Sequence, residues 1–417
     1  MRAALDGIFR RLITIGRLTV IWPDGTQTVY AASEGPAARV RVHDHRTLRR
    51  LLLNPSLGLG EAYMDGSLTV DGSIYDLLDV LLANLAGNPA GHPIMRLREI
   101  IGGIVRRIVQ YNPAGRAQRN VAHHYDLSGR LYSLFLDRDR QYSCAYFPHG
   151  DETLEEAQAA KKRHIAAKLL LNRPGLRVLD IGCGWGGMAL TLARDFGVHV
   201  TGVTLSHEQL AEARARAASE GLEDRVQFEL LDYRAVTETY DRIVSVGMFE
   251  HVGIGHYRTF FNTVARCLKP DGVALIHAIG RSNGPGSTDE WLQKYIFPGG
   301  YSPALSEVLP PVERSGLMAT DIEILRLHYA ETLRHWRRRF AANRDAIMAL
   351  YDERFCRMFE FYLAGSELAF RRGGHMIWQL QLAHGHGAVP LTRDYIATVE
   401  AGESVGSMAE ATNPLRR

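Results

Sequence analysis

One stretch, from Arg177 to Gly187, constrains the fold of this 417-residue chain more than any other. It reads RVLDIGCGWGG, so four glycines closely follow a short apolar run. The apolar run is typical of a buried parallel strand, and a helical pattern begins directly after the glycines. Because glycine lets the backbone approach a ligand closely, the stretch predicts a strand–turn–helix cradle for a nucleotide-like molecule.

The glycines satisfy two different binding patterns. Gly182, Gly184 and Gly187 fit the GxGxxG pattern of dinucleotide sites. Gly182, Gly184 and Gly186, preceded by Asp180, fit the DxGxGxG pattern of S-adenosylmethionine (SAM) enzymes. A glycine motif alone is a weak indication of either ligand, and a turn that binds nothing is a third interpretation.

The next predicted strand helps to separate these interpretations. A NAD site usually places an acidic residue at the end of that strand, where it holds the ribose. Here the strand ends with Thr204, Leu205 and Ser206, and the first acid is Glu208. The spacing therefore favours SAM over NAD.

Downstream of Arg177, apolar segments alternate with helical patterns, which is typical of a doubly wound parallel sheet. Ligands of such sheets bind at the carboxyl ends of the strands. Residues 282–303 interrupt the alternation and are predicted to form a functional excursion or lid, and 304–390 are predicted to be mainly helical. The predicted strands cover 177–181, 198–203, 226–231, 241–246 and 273–278.

The first part of the chain has a different, mixed pattern. Alternating residues around a Pro-Asp-Gly turn predict a hairpin over 16–31, and a further strand is predicted at 38–42. Helices are predicted over 46–53 and 74–85. Gly58 to Gly66 is predicted to be a packed turn, with a site formed by its acids and its aromatic residue as the alternative.

A basic amphipathic helix is predicted over 95–111, which either lies on anionic lipid or packs on its own protein. The polar run 112–120 then predicts a domain boundary. We expect an α+β N-terminal domain with its linker over 1–120, a catalytic domain over 121–400 and a loose tail over 401–417.

Composition excludes several functional classes. The net charge is only +3, which argues against nucleic acid as a partner. The four cysteines are scattered without a CxxC pair, so no metal site is expected. No apolar run of about 18 residues exists to span a membrane, and the N-terminus does not resemble a signal peptide. We expect a cytoplasmic protein.

Six motifs of the second predicted domain are YSCAYF at 142–147, LDIGCGWGG at 179–187, GVTLS at 202–206, FEHVG at 249–253, IHAIG at 276–280 and YIFPGG at 295–300. Together they resemble the cyclopropane-fatty-acid synthase family of SAM-dependent methyltransferases. The segment GLGEAYMDG at 58–66 also resembles the bacterial members that have an additional first domain.

The resemblance implies an α/β fold: a doubly wound, seven-stranded, Rossmann-like SAM-dependent methyltransferase domain with helical insertions, preceded by a smaller α+β domain. Members of the family transfer the SAM methyl group to a cis double bond in a phospholipid acyl chain. The resulting carbocation loses a proton to bound bicarbonate and closes to a cyclopropane ring. The same fold and site can instead give a methyl or methylene branch.

The resemblance also assigns the catalytic bicarbonate site. Cys144 and Ile279 would donate backbone N–H groups to the ion. Glu250 would accept a hydrogen bond from it, and His277 and Tyr329 would be side-chain donors. Taken alone, Cys144 and His277 would each be interpreted as ordinary buried residues.

Ten residues are assigned to SAM by the resemblance. Thr204 and Gln209 would replace the missing acid at the ribose, and Tyr233 would lie near the adenine, with ordinary edge packing as its alternative. The ten are Tyr142, Ser143, Val178, Asp180, Gly182, Gly184, Gly186, Thr204, Gln209 and Tyr233.

An alkene is a weak nucleophile, so the reaction needs a water-free, apolar tunnel that holds it against the methyl donor. Aromatic residues late in the chain are candidates to line it, although most are expected to be ordinary core. They are Tyr295, Phe297, Tyr301, Trp336, Phe340, Phe355, Phe359, Phe361, Tyr362 and Phe370.

The expected partner is a membrane phospholipid with unsaturated acyl chains, reached by peripheral contact at the inner membrane surface. The 95–111 helix and the cluster Arg334, Arg337, Arg338 and Arg339 are candidates for headgroup contact. Bacterial relatives imply a homodimer. A small-molecule N-methyltransferase and a non-catalytic SAM- or lipid-binding module are the remaining alternatives.

Overall fold

The computed structural model describes residues 1–87 and 129–402. The predicted boundary at residue 120, the basic helix over 95–111 and nearly all of the predicted tail lie outside these residues. The chain divides into two compact units, and each unit combines segments that are not consecutive in the sequence. Unit 1 comprises 1–106, 286–298 and 330–375, and unit 2 comprises 107–285, 299–329 and 376–417.

The described residues form strands and helices that we number in chain order. The strands are β1 (Ile15–Ile21), β2 (Gln27–Ala31), β3 (Ser33–Val42), β4 (Leu68–Asp71), β5 (Arg177–Ile181), β6 (His199–Thr204), β7 (Val226–Leu230), β8 (Tyr240–Val246), β9 (Leu268–Arg281), β10 (Met318–Leu325) and β11 (His375–Ala383). The helices are α1 (Arg2–Leu12), α2 (His45–Leu53), α3 (Pro55–Met64), α4 (Ile74–Gly87), α5 (Gly129–Phe135), α6 (Leu154–Lys168), α7 (Gly187–Phe196), α8 (His207–Ser219), α9 (Tyr257–Cys267), α10 (Glu290–Tyr295), α11 (Leu305–Arg314), α12 (His328–Ala342), α13 (Arg344–Leu350), α14 (Glu353–Arg371) and α15 (Asp394–Glu400).

Unit 1 contains a four-stranded sheet in the order β2-β1-β3-β4. The predicted hairpin is confirmed, since β1 and β2 pair antiparallel with Leu18 opposite Tyr30. Strand β3 pairs parallel with β1 on its other edge. The sheet's apolar side chains form one core with α4 and with Ala364 and Leu368 of α14.

The predicted packed turn at 58–66 is wrong, because most of it lies in helix α3. The Asn54 side chain caps this helix by accepting a hydrogen bond from the Leu57 N–H, and Pro55 occupies its first turn. A Cβ added at Gly60 would lie only 2.3 Å from the Trp291 ring of α10. Glycine here therefore permits close helix packing rather than a turn.

Most of the aromatic residues proposed for the tunnel belong to unit 1; only Tyr301 belongs to unit 2. Within unit 1 they pack on one another. The rings of Phe340 and Phe359 stack at 5.1 Å, and Phe359 meets Tyr362 edge-on at 5.3 Å. Residues 330–375 thus contribute an aromatic helical core to unit 1.

Unit 2 contains a seven-stranded sheet in the order β10-β11-β9-β8-β5-β6-β7. All five strands predicted from the alternation are confirmed, and β9, β8, β5, β6 and β7 pair in parallel. The order reverses at β5, so its carboxyl end lies at a topological switch point. No helix among the described residues has the length and apolarity needed to cross a bilayer.

The prediction of a mainly helical 304–390 missed two strands. Strands β10 and β11 pair antiparallel at one edge of the large sheet. Strand β11 reads HMIWQLQLA and is buried almost throughout, including the side chains of Gln379 and Gln381. The polar glutamines conceal the apolar pattern by which a buried strand is normally recognised.

Candidate active site

A pocket opens at the carboxyl ends of β5, β6, β7 and β8, as the doubly wound topology requires. Eight of the ten residues predicted to hold SAM line it. Val178 is instead fully buried within β5, and Gly186 lies behind the lining as the N-cap of α7. The eight are Tyr142, Ser143, Asp180, Gly182, Gly184, Thr204, Gln209 and Tyr233.

The glycine turn needs its glycines for both conformation and space. Gly182 and Gly186 have φ values of 81° and 82°, in the left-handed region that favours glycine. A Cβ at Gly182 would lie 2.7 Å from the Met248 side chain, and one at Gly186 would lie 2.6 Å from the Phe228 ring. A side chain at Gly182 would therefore displace Met248, which also lines the pocket.

Asp180 lies at the base of the pocket with a side chain that is almost fully buried. Its Oδ2 atom has no hydrogen-bond partner among the described residues. Burial raises the pKa of Asp180 to about 7, although nearby Lys161 opposes the shift. An unpaired buried carboxyl group beside a glycine turn fits the cationic methionine end of SAM.

The end of β6 carries hydrogen-bonded polar side chains where many NAD sites carry an acid. Thr204 Oγ1 donates a hydrogen bond to Gln209 Oε1 at 3.0 Å, which joins the two residues predicted at the ribose. Ser206 caps α8 by accepting a hydrogen bond from the Gln209 N–H. The position that carries the ribose acid in many NAD sites is thus occupied by a helix start.

The segment that closes the pocket is held by a lysine that the sequence did not indicate. Lys161 of α6 is fully buried, and its Nζ donates to Ser143 Oγ at 2.9 Å and to Gln141 Oε1 at 2.6 Å. Burial lowers the pKa of Lys161 to about 8. In the sequence, nothing distinguishes Lys161 from the other lysines of α6.

Other pocket residues were also not predicted. Among them His251 belongs to the FEHVG motif, and burial lowers its pKa to about 4. Trp185 lies within the LDIGCGWGG motif. Others lie between the motifs, where sequence pattern carries little information: Arg140, Gln141, Asp232, Arg234 and Met248.

Beside this pocket, the end of β8 brings an acid against β9. Glu250 follows β8 in a short 3₁₀ turn, and its Oε1 accepts a 2.6 Å hydrogen bond from the backbone N–H of Ile279. His277 lies two residues before Ile279 on β9, and its carbonyl accepts from the Gly247 N–H at 2.9 Å. The structure therefore brings Glu250, His277 and Ile279 together.

In the structure the backbone N–H of Ile279 donates to Glu250. Donation by Ile279 to bicarbonate stays a prediction. The pairing follows from the parallel register of β8 and β9, which places the turn after β8 beside the end of β9. Ile279 thus orients the carboxylate.

The segments that carry Cys144 and Tyr329 are joined to each other through a neighbouring residue of each. Cys144 is buried, and its Sγ donates to the Ala145 carbonyl at 3.2 Å. Tyr329 is also buried, and the preceding His328 accepts a 3.0 Å hydrogen bond at Nδ1 from the Phe147 N–H. That bond fixes the start of α12 to the YSCAYF segment.

Two polar atoms of the acid–imidazole pair lack partners. Glu250 Oε2 and His277 Nε2 are buried without a hydrogen bond to any described residue. Burial raises the pKa of Glu250 to about 7 and lowers the pKa of His277 well below its ordinary value. A carboxylate acceptor and an imidazole nitrogen fit a small ion such as bicarbonate, which carries both acceptor oxygens and one O–H.

Comparison with known proteins decides the family. The model of the mycolic acid cyclopropane synthetase family matches residues 113–380. The chain belongs to this family. A second model, for a domain of unknown function, matches residues 4–87.

Among the relatives of this synthetase-family chain is the cyclopropane-fatty-acyl-phospholipid synthase of Escherichia coli K12. It is 42% identical over 348 residues, which cover 84% of this chain and 88% of the relative. The tuberculostearic acid methyltransferase UfaA1 of Mycobacterium tuberculosis is 37% identical and is matched over 91% of both chains.

Solved structures agree with the sequence matches. Mycolic acid cyclopropane synthase CmaA1, complexed with SAH and CTAB, superposes with a TM-score of 0.61 and is 34% identical. The match covers 66% of this chain and 99% of CmaA1. The predicted fold class is thus confirmed, and the chain is an enzyme of the SAM-dependent methyltransferase class.

Proposed function

We propose that this methyltransferase transfers a methylene unit from SAM to the cis double bond of unsaturated phospholipid acyl chains and forms a cyclopropane ring. The observation that carries the proposal is the pair of unpartnered buried atoms, Glu250 Oε2 and His277 Nε2, beside a SAM-type pocket at the same edge of the sheet. The name of the Escherichia coli relative supports the same substrate class.

SAM supplies an electrophilic methyl group, and the alkene π electrons form the new C–C bond as the S–CH₃ bond breaks. The resulting carbocation must then lose a proton while its ring closes. A bicarbonate ion held at this site would supply the base for that proton. Ionised Glu250 would hold the bicarbonate O–H, and neutral His277 would donate to one of its oxygens.

Burial of these two residues serves the chemistry. Water would trap a carbocation, so the proton acceptor has to act in a site that excludes it. Glu250 and His277 are both at least nine-tenths buried. Both have the pKa shift expected of groups held away from water, upward for the acid and downward for the imidazole.

Access to lipid would come from peripheral contact at the inner surface of the cytoplasmic membrane. In the arginine cluster, Arg337 pairs with the buried Glu367 at 3.0 Å and lies over the Tyr75 ring, so it is a structural residue. Arg338 is exposed and is the better headgroup candidate. Flotation with anionic vesicles tests it: Arg338→Gln should bind less, and unchanged binding would contradict the assignment.

A homodimer is also proposed, and sedimentation velocity of the full chain tests it. A single species of 46.5 kDa would contradict it.

Mass spectrometry of acyl chains after incubation with SAM and unsaturated phospholipid vesicles tests the reaction itself. A gain of one CH₂ with loss of the alkene and no added hydrogen indicates the ring. A gain with the alkene retained indicates methylene branching. A gain with two further hydrogens indicates methyl branching, which requires a hydride donor added to the incubation. The methyl outcome is the second candidate, since one relative is named a tuberculostearic acid methyltransferase.

Transfer of radiolabel from SAM to lipid separates both enzyme functions from a non-catalytic binding module. Transfer to a small amine instead would indicate an N-methyltransferase.

A further inference from the structure

The structure shows a chain of buried polar side chains behind His277 that leads away from the reacting groups. Gln379 of β11 lies with its Nε2 atom 3.2 Å from His277 Nδ1. The Oε1 atom of Gln379 lies 2.8 Å from Lys168 Nζ. Gln379 and Lys168 are completely buried, and neither belongs to a motif that identifies the family.

Lys168 determines which way the Gln379 amide points. An ammonium group has three donors and no acceptor, so only the carbonyl oxygen of the amide can face it. Glu323 pairs with Lys168 on its other side, and Asp321 lies 3.9 Å from it. These carboxylates keep the lysine charged although burial lowers its pKa.

The fixed amide in turn determines where the imidazole carries its proton. With Oε1 on the lysine, the NH₂ group of Gln379 faces His277 Nδ1. That nitrogen must then accept the hydrogen bond, so a neutral ring carries its proton on Nε2. Burial, together with the charges of Lys161, Lys168 and His164, lowers the pKa of His277 and keeps the ring neutral.

We propose that Gln379, oriented by Lys168, is a positioning residue that locks His277 in the Nε2–H tautomer. The Nε2–H, which has no described partner, then points a donor at the ligand of Glu250. The other tautomer would present a lone pair there and repel an anion. The inference rests on the proposed function only for the identity of that ligand as bicarbonate.

The direct test is ¹⁵N NMR of the full-length protein labelled on histidine, with the His277 ring signals assigned from the His277→Asn variant. In the wild-type protein Nε2 should be protonated and Nδ1 not. A protonated Nδ1 in the wild type would overturn the proposal without any other variant.

Variants sharpen the test. Gln379→Glu places an acceptor at Nδ1 and should move a proton onto that nitrogen. Gln379→Met should allow both tautomers. Gln381→Met is the matched control, because Gln381 is a buried glutamine on the same strand that bonds the Lys168 carbonyl and Tyr395 instead. It should leave the His277 signals unchanged, and equal changes in both Met variants would contradict the proposal.

Kinetics provide a second readout. The bicarbonate concentration for half-maximal activity should rise about tenfold in Gln379→Met and less than about twofold in Gln381→Met, with the KM for SAM unchanged in both. A rise in the KM for SAM alone would contradict the positioning role. If the NMR result is as expected but wild-type activity does not depend on bicarbonate, the proposed function is wrong, whereas the assignment of the Nε2–H tautomer to His277 is still supported.

Discussion

The SAM pocket and the acid–imidazole pair lie at the same edge of the large sheet but are built in different ways. The SAM pocket includes a turn whose backbone bends at glycines, and the residues of that turn are neighbours in sequence. The acid–imidazole pair joins the end of β8 to β9, and its supporting side chains come from α6 and β11. The glycine turn is local in sequence, whereas the acid–imidazole pair depends on the assembled sheet.

This difference predicts which measured property a substitution in each region should change. Changes in the glycine turn alter the space available to SAM and should appear as changes in SAM affinity or stability. Changes at Glu250 or behind His277 alter a buried electrostatic arrangement and should appear in turnover with SAM affinity retained. Four predictions test this division.

The largest effect is expected for Glu250→Gln, which keeps the shape of the side chain but removes the carboxylate acceptor. Turnover should fall about 1,000-fold, within the range for loss of a group that assists proton transfer. The SAM dissociation constant, measured by calorimetry, should change less than about twofold. A large loss of SAM affinity would erase the proposed division between the two regions.

The Glu250→Gln variant should also be more stable than the wild type at high pH. Between pH 4.5, the ordinary pKa, and about 7, the unfolded chain releases the Glu250 proton while the folded chain retains it. The wild type therefore loses stability as pH rises through this window, by up to about 3 kcal/mol, and Gln removes that loss.

Urea unfolding at about pH 4.5 and about pH 8 measures this effect. The exposed Glu229→Gln is the control and should show no pH-dependent gain. A Glu250→Gln advantage that is equal at both pH values would contradict buried ionisation of Glu250.

A smaller effect is expected for Gly182→Ala in the glycine turn. The strained φ and the collision with Met248 should together destabilise the fold by about 2 kcal/mol and weaken SAM binding. Gly221→Ala is the control, since Gly221 has φ 65° with no atom within 4 Å of the added Cβ. It should lose about 1 kcal/mol and keep SAM affinity. Thermal unfolding measures the stability of both variants, and SAM titration measures their affinity for SAM.

The smallest effect is expected at Tyr233, whose ring lies edge-on to Phe260 at 5.3 Å. Tyr233→Ala removes a ring proposed to contact adenine and should weaken SAM binding about tenfold, as for loss of one stacking partner. Tyr233→Phe should bind SAM nearly as the wild type does. If Tyr233→Ala also binds normally, ordinary edge packing is the correct interpretation of this residue.

Sequence alone predicted the local features well, for physical reasons. Gly182 and Asp180 could be placed because a strand, a glycine turn and a helix occur within a dozen residues. The same reasoning failed for α3, where Gly60 was predicted to be part of a turn but permits packing against Trp291.

The supporting residues could not be predicted in the same way. Gln379 lies about 100 positions from His277, and its polar side chain disguises β11 as something other than a buried strand. The role of Lys168 depends on its ion pair with Glu323 of β10, a second strand that the sequence pattern did not predict. Such contacts exist only after the sheet has assembled.

The most direct test of the central claim is the bicarbonate dependence of the reaction. The wild-type enzyme is depleted of carbon dioxide and bicarbonate, supplied with SAM and unsaturated phospholipid vesicles, and titrated with bicarbonate while the cyclopropane product is measured. The account predicts that product formation is very slow without bicarbonate and rises to saturation as it is added. A rate that stays the same with and without bicarbonate would contradict it.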